Sequence, residues 1–149
     1  MTTAAPHLAL ILVTGSRTWP DPRLLEDTLL DVWHDALQDG WDGIEVMHGH
    51  ADHGADAIAD AWAIRHAVPY RRRPADWPGP CAATCPPGHR RINSRGRPYC
   101  PLAGHRRNQA MVDEQPLLVV AASHNRSTGT ADCMRRAKAA DIPVHLITV

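Results

Sequence analysis

Short β-prone runs alternate with stretches of helical spacing along almost the whole chain, and that alternation constrains the fold more than any other feature. Leu8–Thr14 is a continuous apolar run ended by Gly15-Ser16, the pattern of a strand buried on both faces. Leu24, Leu25, Thr28, Leu29, Val32, Trp33, Ala36 and Leu37 then form one helical stripe, which Asp39-Gly40 stops. Ile44–Met47 is the next strand. Ala55, Ile58, Ala59, Trp62 and Ala63 mark a second helix starting near Gly54, and Val68–Arg71 a short third strand. Further on, His105–Val112 suits a helix and Leu117–Ala122 a strand. Ala131–Ala140 suits a last helix, with Ser127 or Thr128 available as its cap, and Pro143–Val149 a closing strand. Such alternation argues for an α/β fold, a parallel sheet of about five strands with helices on both faces.

The chain's 149 residues suit a single domain, 1–149, and a composition of 44% hydrophobic and 21% charged residues is that of a folded globule. No apolar run reaches the 18 or so residues of a membrane helix. The start, Met1–His7, carries no basic side chain ahead of the first apolar run, so it does not read as a secretory leader and a cytoplasmic location is expected.

Residues 74–104 interrupt the alternation with seven prolines, four glycines and three cysteines in 31 residues, and read as an irregular insert. Within it, Cys81, Cys85, His89 and Cys100 supply three thiols and one imidazole in a segment with almost no apolar residues to bury. A tetrahedral structural Zn²⁺ would fix such a loop outright. A disulfide or free thiols are the competing readings, the disulfide disfavoured inside a cell. His105 or a water are alternatives to His89. Cys133, in the Ala-rich last helix, reads as a core thiol. His48, His50 and His53 are close in sequence but lack helical metal-ligand spacing, so a metal there is not expected.

The 16 basic and 16 acidic residues cancel, but they are separated along the chain. Residues 1–60 hold eleven acids against Arg17 and Arg23, whereas residues 71–107 hold nine arginines and one acid, Asp76. An anionic partner is therefore allowed. Because 15 of the 16 bases are Arg and Phe is absent, codon bias accounts for much of the arginine content, and arginine abundance alone does not indicate phosphate binding.

In a parallel α/β sheet, ligands bind beyond the carboxyl ends of the strands, where helix N-termini face anions. Three loops there are rich in glycine, hydroxyl and polar groups: Thr14–Arg17, His48–Asp56 and Ser123–Thr130. The first two of these, together with Pro74-Ala75-Asp76-Trp77 and Ala103–Met111, resemble the YspA-like, YpsA-related branch of the SLOG superfamily, named for the Smf/DprA and LOG proteins. The resemblance implies a Rossmann-like fold and a crevice for a nucleotide or nucleotide-derived ligand, built from Gly15, Ser16, Arg17, Gly49, Gly54, Asp56, Arg107, Asn108, Gly129 and Thr130. Asp56 reads either as a ribose contact or as a helix cap. The insert is expected to lie over that crevice as a lid.

LOG proteins are phosphoribohydrolases, and two of their motifs resemble segments here. His105-Arg106-Arg107-Asn108 puts Arg107 on the catalytic Arg, and Ser127–Asp132 puts Asp132 on the catalytic Glu. Ser127 and Thr128 replace the paired glycines, Asn108 replaces Lys, and Asp132 is one methylene shorter. An enzyme releasing base from a nucleoside monophosphate through Arg107 and Asp132 is thus the alternative reading. A zinc-stabilised nucleic-acid-binding module is a third, resting on the arginines around the insert. LOG proteins pair, so a homodimer is also implied.

Overall fold

The structure, a computed structural model, describes residues 4–149; residues 1–3, part of the segment read as no leader, lie outside it. Seven strands and four helices follow in the order β1 (Leu8–Gly15), α1 (Pro22–Gln38), β2 (Gly43–His48), α2 (Ala55–Arg65), β3 (Tyr70–Arg72), β4 (Arg91–Ile92), β5 (Pro98–Tyr99), α3 (Ala103–Asp113), β6 (Leu118–Ser123), α4 (Thr128–Ala139) and β7 (Val144–Thr148). Five strands form one parallel sheet in the order β3-β2-β1-β6-β7, while β4 and β5 pair as a small antiparallel ribbon inside the insert.

The pleat of β1 sorts its side chains onto two faces. Ala9, Ile11 and Val13 join Leu25, Leu29, Val32, Ile44, Ala59 and Trp62 in a cluster under α1 and α2. Leu10 and Leu12 face the other way, with Met47, Met111, Val112, Val119, Cys133 and Ala137 under α3 and α4. Helices therefore cover both faces, and the continuous apolar run of β1 follows from that double burial. Cys133 is fully buried here, as its sequence context predicts, and burial pushes its thiol up to about 11.

Local chemistry sets the helix starts. Asp21 accepts from the Leu24 N–H at 3.0 Å, and Pro22 follows it at the start of α1. Ser127 caps α4 through the Thr130 N–H, so α4 begins at Thr128, three residues before the expected Ala131. The third strand runs over Tyr70–Arg72 rather than Val68–Arg71; Val68 is a buried core residue ahead of it, and the Pro69 carbonyl opens the pairing with β2 by accepting from the Val46 N–H at 2.9 Å.

Among the described residues no helix is long and apolar enough to cross a membrane.

Candidate functional site

In the sheet order β3-β2-β1-β6-β7, β1 is followed on one side by β2 and on the other by β6. The chain leaves β1 and β6 toward opposite faces, and the loops part at that switch point to leave a crevice. A cleft of about 840 Å³ occupies it. All three polar loops contribute to its lining, as do α3 and the two ends of the insert.

Of the residues expected to bind, Gly15, Ser16, Arg17, Gly49, Asp56, Arg107, Asn108, Gly129 and Thr130 line this cleft. Gly54 stands behind it. Its φ of +79° is left-handed, and a Cβ there would collide with the Ser16 carbonyl. The Ala55 N–H donates to that same carbonyl at 3.2 Å, which ties the start of α2 to the β1 loop. Gly15 is equally confined, since its Cβ would lie 2.5 Å from that of Ala55 and 2.7 Å from the Ala122 carbonyl. Ser16 clamps the first and third loops together: its hydroxyl donates to the His124 carbonyl at 2.8 Å and accepts from the His124 N–H at 2.7 Å.

Asp56 is almost fully buried, and burial raises its pKa against the pull of the Ala51 N–H, His48, Arg107 and Arg17. Its one hydrogen bond comes from Ala51 at 3.1 Å, upstream of the helix, so it does not serve as the cap of α2. Arg107 reaches across from α3 and donates to the Gly49 carbonyl at 2.7 Å and to Asn108 Oδ1 at 3.1 Å. Desolvation lowers the pKa of Arg107, with Asp56 opposing that shift. A buried carboxylate and a half-buried guanidinium thus share one polar wall of the cleft.

Asp132 takes a different place from the one its motif implies. It is 2% exposed and does not line the cleft. Asn108 (3.0 Å), Arg135 (2.8 Å) and Arg136 (2.9 Å) occupy its oxygens, and despite burial Arg136, Asn108 and the nearby His105 hold its carboxyl below the usual range. Through Asn108 it orients Arg107 from behind the wall.

A second arrangement was not visible in the sequence. His48, fully buried at the end of β2, accepts from the His50 N–H at Nδ1 (3.0 Å), so its proton sits on Nε2, facing Asp60 Oδ1 at 2.9 Å. Arg72 grips Asp60 through two hydrogen bonds of 2.8 and 3.0 Å and, with His48, holds its carboxyl below its ordinary pKa. Desolvation lowers the pKa of His48, in keeping with an Nδ1 that accepts a hydrogen bond. This chain fixes the loop that presents Gly49 and Asp52 to the cleft. The available signal was the i, i+4 spacing of Asp56 and Asp60 on one helix face.

The insert brings Cys81, Cys85, His89 and Cys100 together, their ligand atoms all within 4.8 Å of one another. This group could hold a metal ion. Zn–S bonds of about 2.3 Å in a tetrahedron set an S···S edge of roughly 3.8 Å. Cys85 and Cys100 lie 3.8 Å apart, and the His89 ring nitrogen is 3.1 Å from Cys81 and 3.5 Å from Cys100. All four cysteines of the chain are free, so no disulfide ties the insert. Arg106 donates to both Cys85 and Cys100 at 3.3 Å. Burial resists ionisation of Cys100, but Arg106, the Leu102 N–H and the neighbouring thiols bring its pKa down to about 6, as a thiolate ligand requires.

The insert is a side wall rather than a lid. Its ends give Pro74, Ala75, Trp77 and Pro101 to the cleft lining, and the cysteines contribute nothing to it. The arginine cluster is also partly consumed: Arg71 pairs with Glu45 and Glu114, Arg72 with Asp60, and Arg73 with Glu114.

A parallel sheet with its ligand-facing loops and helix starts gathered at one switch point is the architecture of Rossmann-like binding proteins. The chain belongs to the YspA, cpYpsA-related SLOG family, whose model matches residues 10–78, from β1 to three residues short of Cys81. It is similar to the Gene 61 protein of Mycobacterium phage D29, at 36% identity over 140 residues, 90% of this chain and 92% of that protein. No solved structure matches the chain.

Proposed function

We propose that this protein binds a nucleotide or a nucleotide-derived small molecule in the crevice, and that the insert carries one structural Zn²⁺ on Cys81, Cys85, His89 and Cys100. The observation that carries the first part is the convergence of three strand-end loops and α3 on one cleft of about 840 Å³. The volume falls within the roughly 300–1,000 Å³ of small-molecule sites. In this reading the starts of α2 and α4, with Arg17 and Arg107, receive the phosphate, and Asp56 accepts from a hydroxyl or amino group of the ligand. Burial of Asp56 beside cationic groups favours a ligand that brings hydrogen-bond donors to it.

Hydrolysis in the manner of the LOG proteins is the weaker reading, since Asp132 has its oxygens occupied by Asn108, Arg135 and Arg136. Titration calorimetry with AMP and a panel of other nucleoside monophosphates tests the binding reading. Arg107→Ala should weaken the bound nucleotide at least tenfold, on the order of 1.4 kcal/mol, with circular dichroism showing the fold retained. Unchanged affinity in that variant removes the proposed crevice. Chromatography of the same mixtures should return the nucleotide intact, and free base would restore the enzyme.

A further inference from the structure

The candidate metal cluster and the crevice share one piece of structure. Cys100 is three residues ahead of α3, and its carbonyl accepts the Ala103 N–H at 3.1 Å at the start of that helix. Its own N–H donates to the Trp77 carbonyl at 2.9 Å, closing the two ends of the insert on each other. The Trp77 ring packs on α3 at Gly104, where a Cβ would lie 2.9 Å from the indole, and meets Tyr99 edge-on with ring centres 6.1 Å apart. Trp77, Pro101, Gly104 and Arg107 are crevice wall. On the cluster side, Arg106 donates to two of the thiols while its neighbour Arg107 donates to Gly49 across the cleft.

From these contacts we infer that metal held by Cys81, Cys85, His89 and Cys100 sets the position of the Trp77 wall, and that metal loading thereby regulates ligand affinity in the crevice. This rests on the nucleotide-binding reading above. Between Pro74 and Tyr99 no residue is buried, so the insert has no apolar core to hold Cys100 against Trp77 once the metal is gone. Three thiol groups gathered within 4.8 Å of one another and of an imidazole lose their common partner at the same time. A ligand touching Trp77 or Arg107 prefers the ordered wall, and that preference is the coupling. Because linkage is reciprocal, the ligand raises metal affinity by the factor by which the metal raises ligand affinity.

The test compares the reduced full chain loaded with Zn²⁺, stripped by a chelator, and reloaded. Hydrogen exchange in 74–78 and 101–107 should quicken at least tenfold on stripping and recover on reloading, with β1 and β6 unchanged. Calorimetry with AMP should show affinity about tenfold weaker in the stripped form. Saturating AMP should raise Zn²⁺ affinity by the same factor, read by competition with a coloured chelator. Cys81→Ser, which lies outside the crevice, should reproduce the stripped state, and the chelator arm decides the matter if that variant does not fold.

Protein that takes up no Zn²⁺, exchange indifferent to metal, or equal AMP affinity in both forms overturns the inference. If AMP and the other nucleoside monophosphates bind neither form, the nucleotide reading falls and regulation of its affinity falls with it. Exchange in 74–78 and 101–107 then still decides whether metal orders the wall.

Discussion

Along β1 the side chains enter two apolar clusters, whereas between Pro74 and Tyr99 no side chain is buried and the first that is, Cys100, belongs to the candidate metal group. Both segments present residues to the same crevice, Thr14 to Thr18 from the end of β1 and Pro74, Ala75 and Trp77 from the insert. One is positioned by hydrophobic burial, which is present whenever the chain is folded. The other has no buried side chain of its own between Pro74 and Tyr99 and, in the proposed reading, depends on metal at the cluster. On the proposed reading one cleft has a side that holds whenever the chain is folded and a side that holds only with metal, and the two respond to different perturbations.

Removing metal separates them most sharply. Metal binding to small Cys/His sites carries folding free energy of about 10–16 kcal/mol in isolated peptides, so chelation should open the insert to limited proteolysis within 78–99. The sheet should keep its far-UV signal. Cleavage at the same rate with and without metal breaks the comparison.

Leu29→Ala is the converse experiment. Leu29, on the inner face of α1, is fully buried, and its truncation should cost about 2–5 kcal/mol in denaturant unfolding. Zn²⁺ stoichiometry should stay unchanged. Loss of metal in that variant means that the two regions are not separately held.

Asp132→Ala probes the joint between them. It leaves buried Asn108 with only the long bond to the Gly129 carbonyl and Arg136 with only Gln109, at a cost of roughly 1–3 kcal/mol. AMP affinity should also fall as Arg107 loses its orientation, and unchanged stability would show that the Asn108 network is not made in solution.

The smallest effect is the pH dependence set by His48. Its folded pKa lies below its unfolded value, so the unfolded chain binds a proton that the folded chain refuses. Its contribution to stability is intact above about pH 6.5 and declines as pH falls below that, by up to about 1.4 kcal/mol per pH unit. Denaturation midpoints between pH 7 and 5 should show this slope, and His48→Gln should flatten it. An unchanged slope in His48→Gln assigns it elsewhere.

Much of the sheet was legible because strand and helix periodicities are local. Leu8–Thr14 and the stripe from Leu24 to Leu37 state their own secondary structure. The starts of α3 and α4 were less legible: Ala103 lies at the end of the Pro- and Gly-rich insert and has no side-chain cap ahead of it, while Thr128 lies in a Ser- and Gly-bearing loop where Ser127 supplies one. The site was legible as a set of loops but not as a division of labour. Asp132 and Asp56 are both acids near helix starts, yet one is sealed by Asn108, Arg135 and Arg136 and the other lines the cleft. The arginines of 71–73 read as free charge because Glu45, Asp60 and Glu114, their partners, are up to 43 residues away.

The alternating α/β architecture, the glycine-bearing strand ends and the candidate ligand set Cys81, Cys85, His89 and Cys100 were all readable from neighbouring residues. Folding in three dimensions settled which side chains face the crevice, that the insert stands beside it as a wall, and that Cys100, Trp77 and α3 join the Cys/His cluster to the cleft. Those outcomes depend on contacts between residues distant in sequence, whose distances and burial are fixed only when the sheet has assembled.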